Sequence, residues 1–143
     1  MSYLQNSKSP LTIKSYDFAI KIVKMVRDLK CTPKEYGMMN QIFRSGTAIG
    51  ALVSESTYAQ SPKDFISKLS IALKECNETL YWLNLLKDSD YLQMDEFTSL
   101  EKDSRELLAL LISSIKTTQQ NIETDVKMES GSKFFTFHFS LLT

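Results

Sequence analysis

Thr32-Pro33-Lys34-Glu35 reads as the opening of a helix. The threonine side chain can accept a hydrogen bond from the backbone N–H three residues on, and the glutamate reaches back to the N–H of the threonine. Proline at the first helical position gives up only an N–H that would go unsatisfied anyway. Ser61-Pro62-Lys63-Asp64 repeats the device, with a capping serine, a proline and an acid in the first turn. Working outward from these two starts, the chain divides into four amphipathic segments, over about 15–30, 33–58, 62–86 and 95–122. The fold class this predicts is all-α, one helical domain over 13–122, with a flexible leader at 1–12 and a tail at 123–143.

Each segment carries an apolar stripe. In the first helix, which Ser15 is expected to cap, Ala19, Ile22, Val26 and Leu29 recur at three- and four-residue spacing. Phe18 and Met25 widen the stripe, and Lys14, Asp17, Lys21, Lys24 and Asp28 form the opposite, solvated face. The second helix offers Tyr36, Met39, Ile42, Phe43, Ile49 and Val53. Its middle is small: Ser45, Gly46, Ala48, Gly50 and Ala51. A helical glycine costs up to about 1 kcal/mol against alanine, so two within five residues imply close approach of another helix.

The third helix has a core stripe of Phe65, Leu69, Ala72, Cys76, Leu80 and Leu83. At about 100° per residue, Ile71, Trp82 and Leu85 fall on a second face. A helix with two apolar faces has two sets of neighbours, and the second set is read as another subunit. In the fourth helix Phe97, Leu100, Leu107, Leu111 and Ile115 mark the core, broadened by Leu108, Leu110 and Ile112. Ser130-Gly131-Ser132 reads as a flexible break. Beyond it Phe135, Phe137, Phe139 and Leu141 alternate with Thr136, His138 and Ser140, which is a strand period. That tail admits three readings: it folds onto the bundle, it pairs with another chain, or it is a dispensable extension.

Composition restricts function more than it suggests one. Seventeen basic residues balance seventeen acidic ones, so no excess charge draws the chain to nucleic acid or an anionic membrane. Two cysteines, Cys31 and Cys76, make no disulfide framework and read as free thiols. Met1 to Pro10 lacks the apolar core of a secretory signal, and no apolar run reaches the roughly 20 residues needed to span a bilayer. The expected location is the cytoplasm. With one histidine, His138, the chain cannot build a His-rich zinc site, and its four glycines are isolated rather than gathered into a phosphate loop. No catalytic residue, cofactor or metal is expected.

Two clusters deserve weighing. Glu75 and Glu78 lie three apart on one helix face. As half of a di-metal carboxylate site they would need Glu-x-x-His partners that the chain lacks. They read instead as acids paired with Lys74 or with arginines of a neighbour; Arg44 and Glu55 read likewise as partners in partly buried ion pairs. Lys21, Lys24, Arg27, Lys30 and Lys34 form the densest basic stretch. Asp17, Asp28 and Glu35 interrupt it and no stacking aromatics interleave, so nucleic-acid binding through this patch is the alternative reading rather than the first.

Arg44-Ser45-Gly46-Thr47-Ala48-Ile49-Gly50-Ala51-Leu52-Val53-Ser54-Glu55-Ser56 resembles the signature of the four-helix-bundle family encoded in ribosomal-RNA intervening sequences. Asp64-Phe65-Ile66-Ser67-Lys68-Leu69-Ser70-Ile71-Ala72-Leu73-Lys74-Glu75, followed by Glu78-Thr79 and Tyr81-Trp82-Leu83, extends the resemblance. The resemblance implies an antiparallel up-down-up-down four-helix bundle over 13–122 that forms ring-shaped homo-oligomers, often pentamers, with no enzymatic activity. A related branch, the accessory protein of diversity-generating retroelements, is basic and binds nucleic acid and a reverse transcriptase. Leu52 and Ala48 stand where the family usually carries Asn and Ser, and the neutral charge differs from the retroelement branch. The expectation is a non-enzymatic scaffold or interaction protein whose partner is itself.

Overall fold

The computed structural model describes the backbone of residues 9–141 and the side chains of residues 9–131. Four helices follow one another: α1 (Pro10–Asp28), α2 (Tyr36–Ser56), α3 (Pro62–Asp88) and α4 (Met94–Leu141), with a 3-10 turn at Pro33–Glu35 leading into α2. No strand occurs among the described residues.

The helices run antiparallel to their neighbours. Gly46 of α2 sits on Ile22 of α1, and Gly50 on Ser15. Along α2 and α3, Arg44 meets Glu75 and Glu78, while Glu55 meets Lys68. Between α3 and α4, the thiol of Cys76 donates to the Ser104 carbonyl at 3.3 Å and Lys87 lies over the Phe97 ring. Lys14 and Lys21 of α1 pair with Glu106 and Asp103 of α4. In every pair one number rises as the other falls, and α4 closes the ring of helices against α1. Phe18, Ile22, Met25, Ile42, Ile49, Leu69, Leu83, Leu86, Leu107 and Leu111 are buried at the centre.

Both proline-marked starts form. Ser61 Oγ accepts from the Asp64 N–H at 3.1 Å, and the Glu35 carboxylate accepts from the Thr32 N–H. The start of α1 does not fall at Ser15. It falls at Pro10, with Ser9 as the cap accepting from the Thr12 N–H, so three residues assigned to the leader belong to the helix. Ser9-Pro10 is a third proline-marked start, after Thr32-Pro33 and Ser61-Pro62. Ser15 is instead buried, its hydroxyl donating to the Thr12 carbonyl, because its small side chain permits the approach of α2. Residues 1–8 of the expected leader lie outside the described residues.

The other correction concerns the tail. The break expected at Ser130-Gly131-Ser132 and the strand expected after it are both helical, and α4 continues to Leu141. A helix satisfies its backbone groups within itself, whereas a strand needs an edge to pair with, and the described residues supply none.

Candidate functional site

A connected cluster of polar side chains lies on the α2–α3 face. Arg44 forks between two carboxylates: Nη1 donates to Glu75 Oε1 at 3.1 Å and Nη2 to Glu78 Oε1 at 2.9 Å. Glu78 Oε1 also accepts from the Trp82 indole N–H at 3.1 Å. Beneath this clamp the hydroxyls of Ser45 and Thr79 stand 3.0 Å apart in the buried interface, and the Thr79 hydroxyl is also 2.8 Å from the Glu75 carbonyl. The two acids read from sequence thus converge on Arg44 of the neighbouring helix rather than on Lys74. A planar guanidinium suits this task, because its fork can address two carboxylates at once.

The second apolar face of α3 is partly realised. Ile71 is 42% exposed, whereas Trp82 and Leu85 are half-buried, and Trp82 packs against the edge of the core. Tyr81, 60% exposed, meets the Trp82 ring edge-on with centroids 5.0 Å apart.

A larger apolar face lies on α1, where the sequence reading placed a solvated one. Ile13, Tyr16, Ile20 and Val23 are each between 36% and 42% exposed. Their three- and four-residue spacing puts them on the side of α1 away from Leu11, Phe18, Ile22 and Met25. The expected charged face is instead split: Lys14 and Lys21 turn sideways to Glu106 and Asp103 of α4, and the outermost side is left apolar. The signal was present as a second stripe of the same period; assigning the first stripe to the core obscured it.

The basic stretch is half-occupied. Lys21 pairs with Asp103 and Arg27 with Asp28, while Asp28 also lies in the field of Lys24. Lys30 and Lys34 are exposed on either side of the α1–α2 turn. The Arg27 guanidinium holds the Asp28 carboxyl below its ordinary range. This surface is one of mixed charge.

The Cys76 thiol does not resemble an activated nucleophile. Burial pushes the Cys76 thiol up to about 12, and Cys31 is half-buried and free. Among the described residues no three His, Cys, Asp or Glu side chains are gathered where they would hold a metal ion. Every buried side-chain polar atom there has a hydrogen-bond partner. No described helix is long and apolar enough to cross a membrane.

Fold and polar arrangement together define an antiparallel four-helix bundle whose charged side chains tie helix to helix. Within that class the assignment is specific: a family model described as 23S rRNA-intervening sequence protein matches residues 8–113, and the chain belongs to that family. It is also similar to a crystal structure from Bacteroides thetaiotaomicron, a protein with unknown function from the S23 ribosomal protein family. The two are 49% identical, the match covers 74% of this chain and 98% of that one, and the TM-score is 0.71. No curated protein matches the chain.

Proposed function

We propose that this protein acts as a non-enzymatic scaffold that assembles with copies of itself through faces of the bundle. The observation that carries this reading is the double-sided α1: one stripe fills the core, and the opposite stripe of Ile13, Tyr16, Ile20 and Val23 leaves four large apolar side chains partly in water. A contiguous apolar stripe on the outer side of a surface helix marks an interaction site, whereas a lone exposed apolar side chain does not. Ile71, Trp82 and Leu85 on α3 supply a second such surface, smaller than α1's. Ring closure as a pentamer follows from the family resemblance, and a cytoplasmic setting fits the free thiols. The alternative is a nucleic-acid accessory protein using Lys24, Lys30 and Lys34, with Lys21 and Arg27 already committed to acids; repetition around a ring would multiply that weak patch.

Light scattering on the purified chain tests the reading. Ile20→Glu with Val23→Glu, and separately Trp82→Ala, should lower the mass toward that of one chain while far-ultraviolet circular dichroism stays helical. A wild-type protein that is already a single chain, or an α1 variant of unchanged mass, overturns the proposal. An RNA shift that vanishes between low and moderate salt would favour the alternative.

A further inference from the structure

The helices do not end at one level. Lys14 pairs with Glu106, so the first residue of α1, Pro10, stands level with about residue 110 of the antiparallel α4. Cys76 meets Ser104 in the same way, which sets Pro62, the start of α3, level with about residue 118. α4 runs on past both. Over roughly two turns it therefore has α3 on one flank and, among the described residues, an open notch on the other, where α1 would continue upstream. The residues that come directly before Ser9 and α1 are 1–8, which lie outside the described residues.

The notch has a polar wall and an apolar floor. Asp103 and Glu106 mark the flank of α4 that faces α1. At the same three- and four-residue spacing that flank passes through Leu110 to Ser114, Thr117 and Asn121, which make the wall. The core stripe continues from Leu107 and Leu111 to Ile115, Thr118 and Ile122, which make the floor. Ile115 packs against the edge of the core, as Phe65 of α3 does, and both are only half-buried. Thr118 and Ile122 are half-buried too, while every other residue from Lys116 to Gly131 is exposed.

We infer that Tyr3-Leu4-Gln5-Asn6 of the same chain occupies this notch, with Leu4 over Ile115 and Thr118, Tyr3 over Ile122, and the two amides along the polar wall. The reach suffices. Leu4 stands five residues before Ser9, a span of up to about 17 Å in extended chain, and Thr118 lies about 12 Å along α4 from the level of Pro10. Chemistry agrees with reach: two large apolar side chains match the floor, and Gln5 and Asn6 can exchange hydrogen bonds with hydroxyls and an amide on the wall. Lys8 is the one charged side chain among residues 1–8, so no like charge opposes the approach. Residues 3–6 and 114–122 both lie outside the stretch 8–113 that matches the family model, so the contact is additional to the shared bundle. It needs no second copy and stands apart from the assembly proposed above.

Disulfide trapping in the full chain tests it. In a Cys31→Ser background, Leu4→Cys is combined with Thr118→Cys on the floor or with Lys116→Cys on the opposite side of α4. Mild oxidation should close a disulfide within one chain roughly tenfold faster at 118 than at 116, because docking raises the effective concentration on one side only. Equal rates at the two positions overturn the contact. A disulfide at 118 that joins two chains, seen as a band of twice the mass on a non-reducing gel, also overturns it and gives the floor to a second copy. Hydrogen exchange supplies a test free of cysteines. Tyr3→Ser with Leu4→Ser should let the amides of 115–122 exchange several-fold faster while those of Leu69 and Leu83 keep the wild-type rate. Unchanged exchange over 115–122 sinks the contact as well.

Discussion

The two sides of α2 are joined to their neighbours by different means. Toward α1 the contact is steric: a Cβ added at Gly46 would stand 2.8 Å from Ile22 Cγ1, and one at Gly50 would stand 3.1 Å from the Ser15 carbonyl oxygen. Toward α3 the contact is polar, with Ser45 against Thr79 inside and Arg44 against Glu75 and Glu78 outside. Close packing without side-chain volume leaves no slack, because interiors are already dense. Polar groups set which residue lies opposite which, and each can be exchanged at modest cost if its partner goes with it.

The steric side should therefore break first. Gly46→Ala is expected to destabilise the bundle by about 1–3 kcal/mol, since overpacking outweighs the helix-propensity gain. Gly37→Ala is the control: nothing lies within 4 Å of the added carbon, so the same exchange should stabilise by up to about 1 kcal/mol. Urea unfolding of both variants measures the difference. Equal gains at the two positions would show that α1 does not press on α2.

The polar side should yield less and yield in a coupled way. Thr79→Val removes one of two partners of the buried Ser45 hydroxyl, which keeps its 3.4 Å donation to the Ile42 carbonyl, and should cost about 1 kcal/mol. Ser45→Ala with Thr79→Val removes both hydroxyls and should cost less than the two single changes added together. A double-mutant cycle with no coupling would mean that the 3.0 Å approach carries no energy.

This contrast also explains what could be read in advance. Four helices were legible because proline-marked starts and three-to-four spacing are local properties of the chain, and the closeness of α1 to α2 was legible from Gly46 and Gly50 alone. Ser9-Pro10 carries the start of α1 in the same form as Ser61-Pro62, but Ser15 suits a cap equally well until its burial is known. The Arg44 fork was not legible: Arg44 and the glutamates are more than thirty positions apart, and only the antiparallel register brings them together. The alternation at 135–141 is visible in sequence, but what could pair with it is not, and the backbone there continues α4.

The smallest expected effect lies where the two end turns touch. The Tyr91 hydroxyl donates to the Glu35 carboxylate that caps the helix start, joining the α3–α4 turn to the α1–α2 turn. Tyr91 first, and the Thr32 N–H second, hold the Glu35 carboxyl below its ordinary value of 4.5. A carboxyl so lowered contributes stability in full above its unfolded value, and that contribution is lost as pH falls through the folded one. Tyr91 is shifted the opposite way, raised by the same bond, so its contribution holds below its unfolded value near 10 and fades as pH rises through the folded one. Tyr91→Phe should thus flatten the loss of stability on acidification below about pH 4.5 and remove the alkaline loss as well, with only a modest drop in melting temperature at neutral pH, because the half-buried ring keeps its packing and a single hydrogen bond is lost. Melting temperatures taken across that pH range check it. Parallel wild-type and Tyr91→Phe profiles on the acid side would mean that the capping glutamate, and not its tie to the second turn, sets the acid sensitivity of this end of the bundle.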